Sequence, residues 1–358
     1  MDVAIVGLDG SGKTTAFNAL AGGHGSTGSG AEHIAVVRLR DERLEQLGAL
    51  TGAKKVTPLE ITLRDLPPLF ERGASPSGDA AETLARADVF LHVVRAFERA
   101  DVPHPKGSID PQRDIQAFEE ELALNDLAII ERRLEKLDIT VRSARPGERE
   151  AGEREKELLE RCRTLMNEGP GLRDAILDPQ DLKTLANYSL LSLKPQLIVA
   201  NIGEEDVFRA AALETEYAER YNASRTAAGV LCAKLEAELS ELPPEDAVEF
   251  RREMAAPEGA VPGLLRRILD LLGLVTFFTT GDKEARAWAV PAGTSTLQAA
   301  GRIHTDMERG FIRAEVIPWE RLLELGSFQE AKRSGELRTE GKQYGVREGD
   351  VLHVLFNV

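Results

Sequence analysis

Val3-Ala4-Ile5-Val6-Gly7-Leu8-Asp9-Gly10-Ser11-Gly12-Lys13-Thr14, followed by Thr15-Ala16-Phe17-Asn18-Ala19-Leu20, is the stretch on which the fold of this chain turns. The first four residues form a short apolar run that reads as a buried strand, and Thr15 to Leu20 read as a helix. Between them Gly7 to Thr14 fit the spacing GxxxxGK[ST]. Strand, glycine loop and helix in that order are the context this spacing needs if it is to cradle phosphates. Gly7, Gly10 and Gly12 let backbone N–H groups turn inward, and the loop from Asp9 and Ser11 to Thr15 adds the positive end of a helix. Lys13 is placed to reach β- and γ-phosphates, and the Thr14 hydroxyl to meet Mg²⁺. The competing reading is a loop that kept its sequence and lost its ligand.

The chain has 358 residues, which favours two or three domains. It is 42% hydrophobic, 29% charged and 5% aromatic, the composition of a soluble globular protein. Cys162 and Cys232 stand far apart and suggest neither a disulfide framework nor a metal knuckle, so a reducing cytoplasm is expected. No signal-like segment precedes the first strand and no apolar run approaches about 18 residues, so no membrane span is expected. A net charge of −15 argues against a generally basic nucleic-acid coat, though not against a local basic face.

Gly22 to Gly30 are flexible by composition and lie where a nucleotide-sensing switch follows the first helix of a P-loop protein. Leu59 to Leu63 alternate like a strand that leads to Asp65, and Val89 to Val94 and Gln196 to Ala200 read as strands buried on both faces. Strands alternating with helices imply a doubly wound parallel α/β sheet, with Thr14, Asp65 and Asn201 at the carboxyl ends where ligands bind. Leu127, Ile130, Leu134 and Leu137 follow the a/d spacing of a coiled-coil seam, and Leu158, Leu159, Cys162, Leu165 and Met166 follow after a break at 143–147. An antiparallel helical hairpin is expected, better suited to gripping a partner than to chemistry. From Phe277 onward, strand-like runs between glycine turns suggest a compact α+β module.

Phe278-Thr279-Thr280-Gly281-Asp282-Lys283-Glu284-Ala285-Arg286-Ala287-Trp288, Ala299 to Asp306, Arg309 to Val316 and Glu340 to Tyr344 resemble the TGS domain of the YchF/Obg-like ATPases, a branch of the translation-factor-related P-loop GTPases. Asp110 to Ile115 and Ile130 to Glu135 are similar to the approach to that family's helical arm. The resemblance implies a P-loop NTPase domain at 1–125 plus 184–274, a helical arm at 126–183 and a TGS-like, ubiquitin-like domain at 275–358. It further implies a cytoplasmic ATP- or GTP-binding protein with Mg²⁺ that associates with the ribosome through the arm and the TGS-like domain. Asn201-Ile202-Gly203-Glu204 matches the family's NxxE in place of NKxD. Glutamate lengthens the base-reading arm and loss of the lysine uncovers the base, so guanine preference should relax towards ATP. Cys232 and Ala233 look like the loop on the other side of the base.

Departures fall on the catalytic half. Asp65-Leu66-Pro67-Pro68 stands for DxxG. Asp65 keeps its role towards Mg²⁺, but Pro68 has no N–H for a γ-phosphate. Leu69 stands where Ras-like enzymes carry a water-orienting glutamine, and Thr27 is the one nearby candidate for the switch threonine. His104 aligns with a loop histidine assigned to hydrolysis, and imidazole suits that role near neutral pH. Nucleotide binding with slow or absent hydrolysis is expected. Two other classes compete: a non-hydrolysing scaffold with a silent P-loop, and a small-molecule kinase, which the TGS-like tail disfavours.

Overall fold

The computed structural model describes residues 1–22, 33–67, 69, 78–143, 145–169 and 171–357. Thr27, Pro68 and all but the first residue of the glycine-rich stretch 22–30 therefore lie outside the described residues. By their contacts the residues group into two compact units, Met1–Val37 with Thr62–Leu264, and Arg38–Ile61 with Leu265–Val358. Residues 38–61 thus group with the C-terminal part, whereas the sequence reading placed them in the N-terminal domain.

In chain order the strands are β1 (Asp2–Val6), β2 (His33–Leu39), β3 (Val56–Thr57), β4 (Leu59–Asp65), β5 (Val89–Ala96), β6 (Gln196–Ile202), β7 (Thr226–Leu231), β8 (Leu274–Thr279), β9 (Ala285–Pro291), β10 (Phe311–Pro318), β11 (Arg338–Glu340) and β12 (Asp350–Phe356). The first sheet runs β2-β4-β1-β5-β6-β7. β1 pairs in parallel with β4 and β5, β5 with β6, and β6 with β7. This is the doubly wound α/β sheet expected from the alternation of strands and helices, and the ends of β1, β4 and β6 open on one edge. Helices on both faces explain the continuous apolar runs: Val3 to Val6 are wholly buried, as is every residue of β6. Two polar residues inside these runs meet each other. His92 Nδ1 lies 3.1 Å from Gln196 Nε2, and the ring packs 4.3 Å from that of Phe118. Burial, with the Arg173 and Lys13 charges, drives the His92 pKa down to about 3.

The helical arm is an antiparallel pair, Pro111–Ser143 and Pro146–Glu168. Ile130, Leu134 and Leu137 bury against Leu158, Leu159, Cys162 and Met166, the expected seam, while Leu127 and Leu165 are partly buried. Arg133 clasps Glu155 at 2.7 and 3.0 Å, and Lys156 reaches Asp138 at 2.6 Å, which fixes the antiparallel register. The expected boundary at 126 falls inside one continuous helix. Residues before it, Phe118 and Leu122, pack on the sheet with Ala4, Val6 and Phe90. Asp126 marks the change of surroundings: wholly buried, it accepts the N–H groups of Leu191 (2.9 Å) and Ser192 (2.7 Å). Burial raises its pKa despite these donors.

In the second unit the sheet runs β11-β10-β12-β8-β9-β3. Helix Thr296–Ile303, opened by a Ser295/Gln298 capping box, covers one face through Ala299 and Ala300 with Phe277, Val316 and Leu352. On the other face Leu44 and Leu47 of helix Glu42–Thr51 join Phe278, Ala285, Ile317, Leu322 and Val351. Asp41 caps that helix by accepting from Arg43 N, and Gly52 ends it at φ 63°, a left-handed turn. β3 then adds to the edge of the sheet beside β9.

Candidate nucleotide site

The loop after β1 is shaped by close approaches. A Cβ on Gly7 (φ 145°) would stand 2.3 Å from the Val93 carbonyl oxygen, and one on Gly12 (φ 90°) 2.3 Å from Asn201 Nδ2. Neither position admits a side chain. Lys13 opens helix Lys13–Leu20, and its ammonium donates to the Gly7 and Leu8 carbonyls at 3.0 Å each, closing the loop on itself. Burial lowers the Lys13 pKa, against the pull of Asp9 and Asp65. An incoming phosphate would offer this buried ammonium a stronger partner than two carbonyls.

Thr14 and Asp65 meet as the sequence predicts. The Thr14 hydroxyl donates to Asp65 Oδ2 at 2.7 Å. Asp65 is 5% exposed, and its Oδ1 has no hydrogen-bond partner among the described residues. His33 Nδ1 stands 3.5 Å from the same carboxylate, a neighbour that the sequence reading missed because β2 follows the glycine-rich stretch without a motif of its own.

At the end of β6 Asn201 works in two directions. Its Nδ2 donates to the Ser11 carbonyl and its Oδ1 accepts from Ala233 N, both at 3.0 Å. The amide thereby ties the glycine loop to the turn at Cys232 and Ala233, where helix Ala233–Glu241 begins. Cys232 is nearly buried, and burial pushes its thiol up to about 11, so it stays protonated and inert. Glu204 does not stand free: its Oε2 lies 2.6 Å from Lys234 Nζ, and that hydrogen bond raises the lysine pKa.

His104 is brought to Asp114 rather than to the phosphate loop. Its Nδ1 accepts from Lys106 N at 3.1 Å, and its Nε2 is 2.8 Å from Asp114 Oδ2, both side chains being 3% exposed. Among the described residues no hydrogen bond or ion pair joins His104 to Lys13, Thr14 or Asp65. Leu69 is buried in the core with Ala4, Val6, Leu66 and Phe90.

The sequence compares closely with known proteins. Residues 274–357 match the YchF-GTPase C-terminal family, described as a protein of unknown function (DUF933). The "Ribosome-binding ATPase YchF" of Haemophilus influenzae is 36% identical across 99% of this chain and 98% of its own. That of Bacillus subtilis is 34% identical across all of both chains, and the rice "Obg-like ATPase 1" is 31% identical across all of this chain and 92% of its own. The solved structure of the Schizosaccharomyces pombe YchF GTPase superposes with a TM-score of 0.82 at 25% identity, covering 99% of this chain and 97% of that one. With a doubly wound P-loop sheet, an inserted helical pair and a matching C-terminal domain, the chain belongs to the YchF/Obg-like ATPase family.

Proposed function

We propose that this chain binds a purine nucleoside triphosphate with Mg²⁺ at the loop Gly7 to Thr14, turns it over slowly, and does so in association with the ribosome. The observation that carries the reading is the hydrogen bond from Thr14 to the buried Asp65 carboxylate beside Lys13, with one carboxylate oxygen left unpartnered among the described residues. A hydroxyl and a carboxylate oxygen are hard donors that fit Mg²⁺. Thr14 and Asp65 would hold the ion, which when bound offsets charge on the phosphates. Lys13 would leave its two carbonyls for the β- and γ-phosphates, and the loop N–H groups would complete the cradle.

Base choice follows from Glu204 and Lys234. A carboxylate held by an ammonium is a poor acceptor for the two N–H groups of guanine, which supports relaxed preference and room for ATP. Slow turnover follows from three residues. Pro68 has no N–H, Leu69 is buried, and His104 faces Asp114. These same three favour the alternative, an interaction scaffold that binds nucleotide without hydrolysing it or not at all. Ribosome association is carried over from the names of the relatives, with the helical arm and C-terminal unit as contact surfaces.

Calorimetric titration with non-hydrolysable ATP and GTP analogues and Mg²⁺, beside Lys13→Ala, tests the site. Micromolar binding that disappears in the variant is expected, with ATP at least matching GTP. No binding of either analogue would leave the scaffold reading. Salt-dependent co-sedimentation with ribosomal subunits tests the partner separately.

A further inference from the structure

Arg95 sits at the end of β5, one residue beyond the apolar run, and only 3% of it is exposed. Every hydrogen bond it makes among the described residues goes to a main-chain carbonyl: Nε to Phe97 O (3.2 Å), Nη1 to Val102 O (2.9 Å) and Nη2 to Arg99 O (3.3 Å). Asp101 in the same segment is taken by Arg99 at 2.8 and 3.0 Å. The Arg95 guanidinium also lies over the Phe97 ring, 4.8 Å from its centre. A planar fork gathering three carbonyls fixes a turn in a way that a single ammonium cannot.

What the turn touches gives this its meaning. A Cβ built on Gly10 would stand 3.1 Å from Val102 Cγ1 and 3.4 Å from Arg95 Nη1. One built on Gly12 would stand 3.8 Å from Phe97 Cε1. The turn thus backs the glycine loop at two of its three glycines, and a buried cation lies next to the loop that is read as holding the phosphates. Three of the five guanidinium N–H groups are used, all on main-chain carbonyls, so the fork is held still.

We propose that Arg95 is a positioning residue for nucleotide binding: it holds residues 97–102 against the glycine loop, so that Gly10 to Lys13 stand pre-formed for the phosphates. This rests on the nucleotide reading above and adds a residue that the phosphate-loop spacing does not include. Pre-forming a loop strengthens binding by removing the cost of ordering it at the moment of contact.

The test uses the full chain with a non-hydrolysable ATP analogue and Mg²⁺, comparing wild type, Lys13→Ala, Arg95→Lys and Arg95→Ala. Both Arg95 variants should bind tenfold or more weakly. Millimolar guanidinium ion should restore part of the affinity of Arg95→Ala and none of that of Lys13→Ala. Hydrogen exchange of nucleotide-free Arg95→Ala should quicken at 97–102 and at Gly10 to Lys13 while helix Pro111–Ser143 keeps its protection. Affinity held within twofold in Arg95→Ala would overturn the proposal. So would exchange that quickens throughout the sheet with no rescue by guanidinium, the mark of a purely structural role. Absence of binding in the wild type would overturn the nucleotide reading, and this inference with it.

Discussion

Asn201 and Glu204 show how one motif divides its work. Asn201 spends both ends of its amide on protein partners, Ser11 and Ala233, so its task is to hold loops together. Glu204, the residue proposed above to face a base, is held by Lys234. The pair is exposed enough for its strength to be modest. Lys234→Ala should therefore shift the ratio of GTP to ATP affinity towards GTP by no more than about fivefold. Paired titrations of the two analogues read this directly, and an unchanged ratio would remove Glu204 from base selection. His92 gives a prediction about stability. Its folded pKa is about 3 against 6.5 for the free side chain, so the unfolded chain takes up the proton first. The stabilising contribution is complete above pH 6.5 and is lost as pH falls towards the folded value, at up to about 1.4 kcal/mol per pH unit. Urea unfolding at pH 5 and pH 7 should show this loss in the wild type, with a smaller loss in His92→Gln.

At the level of elements, the arm and the sheet share a helix. Pro111–Ser143 is packed on the sheet through Phe118 and Leu122 and on its partner helix through Ile130, Leu134 and Leu137. Asp126 lies between these surfaces and accepts two buried N–H groups from the short turn Leu191–Leu193 that precedes β6. Asp126→Ala leaves both donors without an acceptor, and the cost should be about 2–4 kcal/mol in denaturant unfolding. Asp126→Asn, which keeps one oxygen, should cost less. Equal stability of Ala and wild type would show that the turn finds other acceptors. The a/d spacing revealed the seam because it repeats along the helix. It could not reveal where the helix leaves the sheet, since periodicity is the same on either side of Asp126.

For the whole molecule, the main departure from the sequence reading is the grouping of residues 38–61 with 265–358. Leu44 and Leu47, 1% and 0% exposed, are buried with Phe278, Ala285 and Val351. A chain ending at Leu264 would leave these leucines without their partners. Such a truncation should aggregate or become protease-sensitive within 38–61, as size-exclusion chromatography and limited proteolysis would report. A monodisperse truncation protected in that segment would show that helix Glu42–Thr51 does not need the C-terminal strands.

Local order along the chain was enough to determine the glycine loop, the buried strands β1, β5 and β6, the two arm helices and the family, because each depends on neighbouring residues or on a repeating period. It also brought Thr14 and Asp65 to one edge, since a parallel sheet puts every such strand end on the same side. Only the tertiary structure decided that Arg95 backs the glycine loop, that Lys234 occupies Glu204, that His104 faces Asp114 and that residues 38–61 join the C-terminal sheet. Each of these is a contact between residues distant in sequence or lying in loops without a period. Such contacts are set by packing and by the need of buried polar groups for partners, neither of which leaves a pattern in the local sequence.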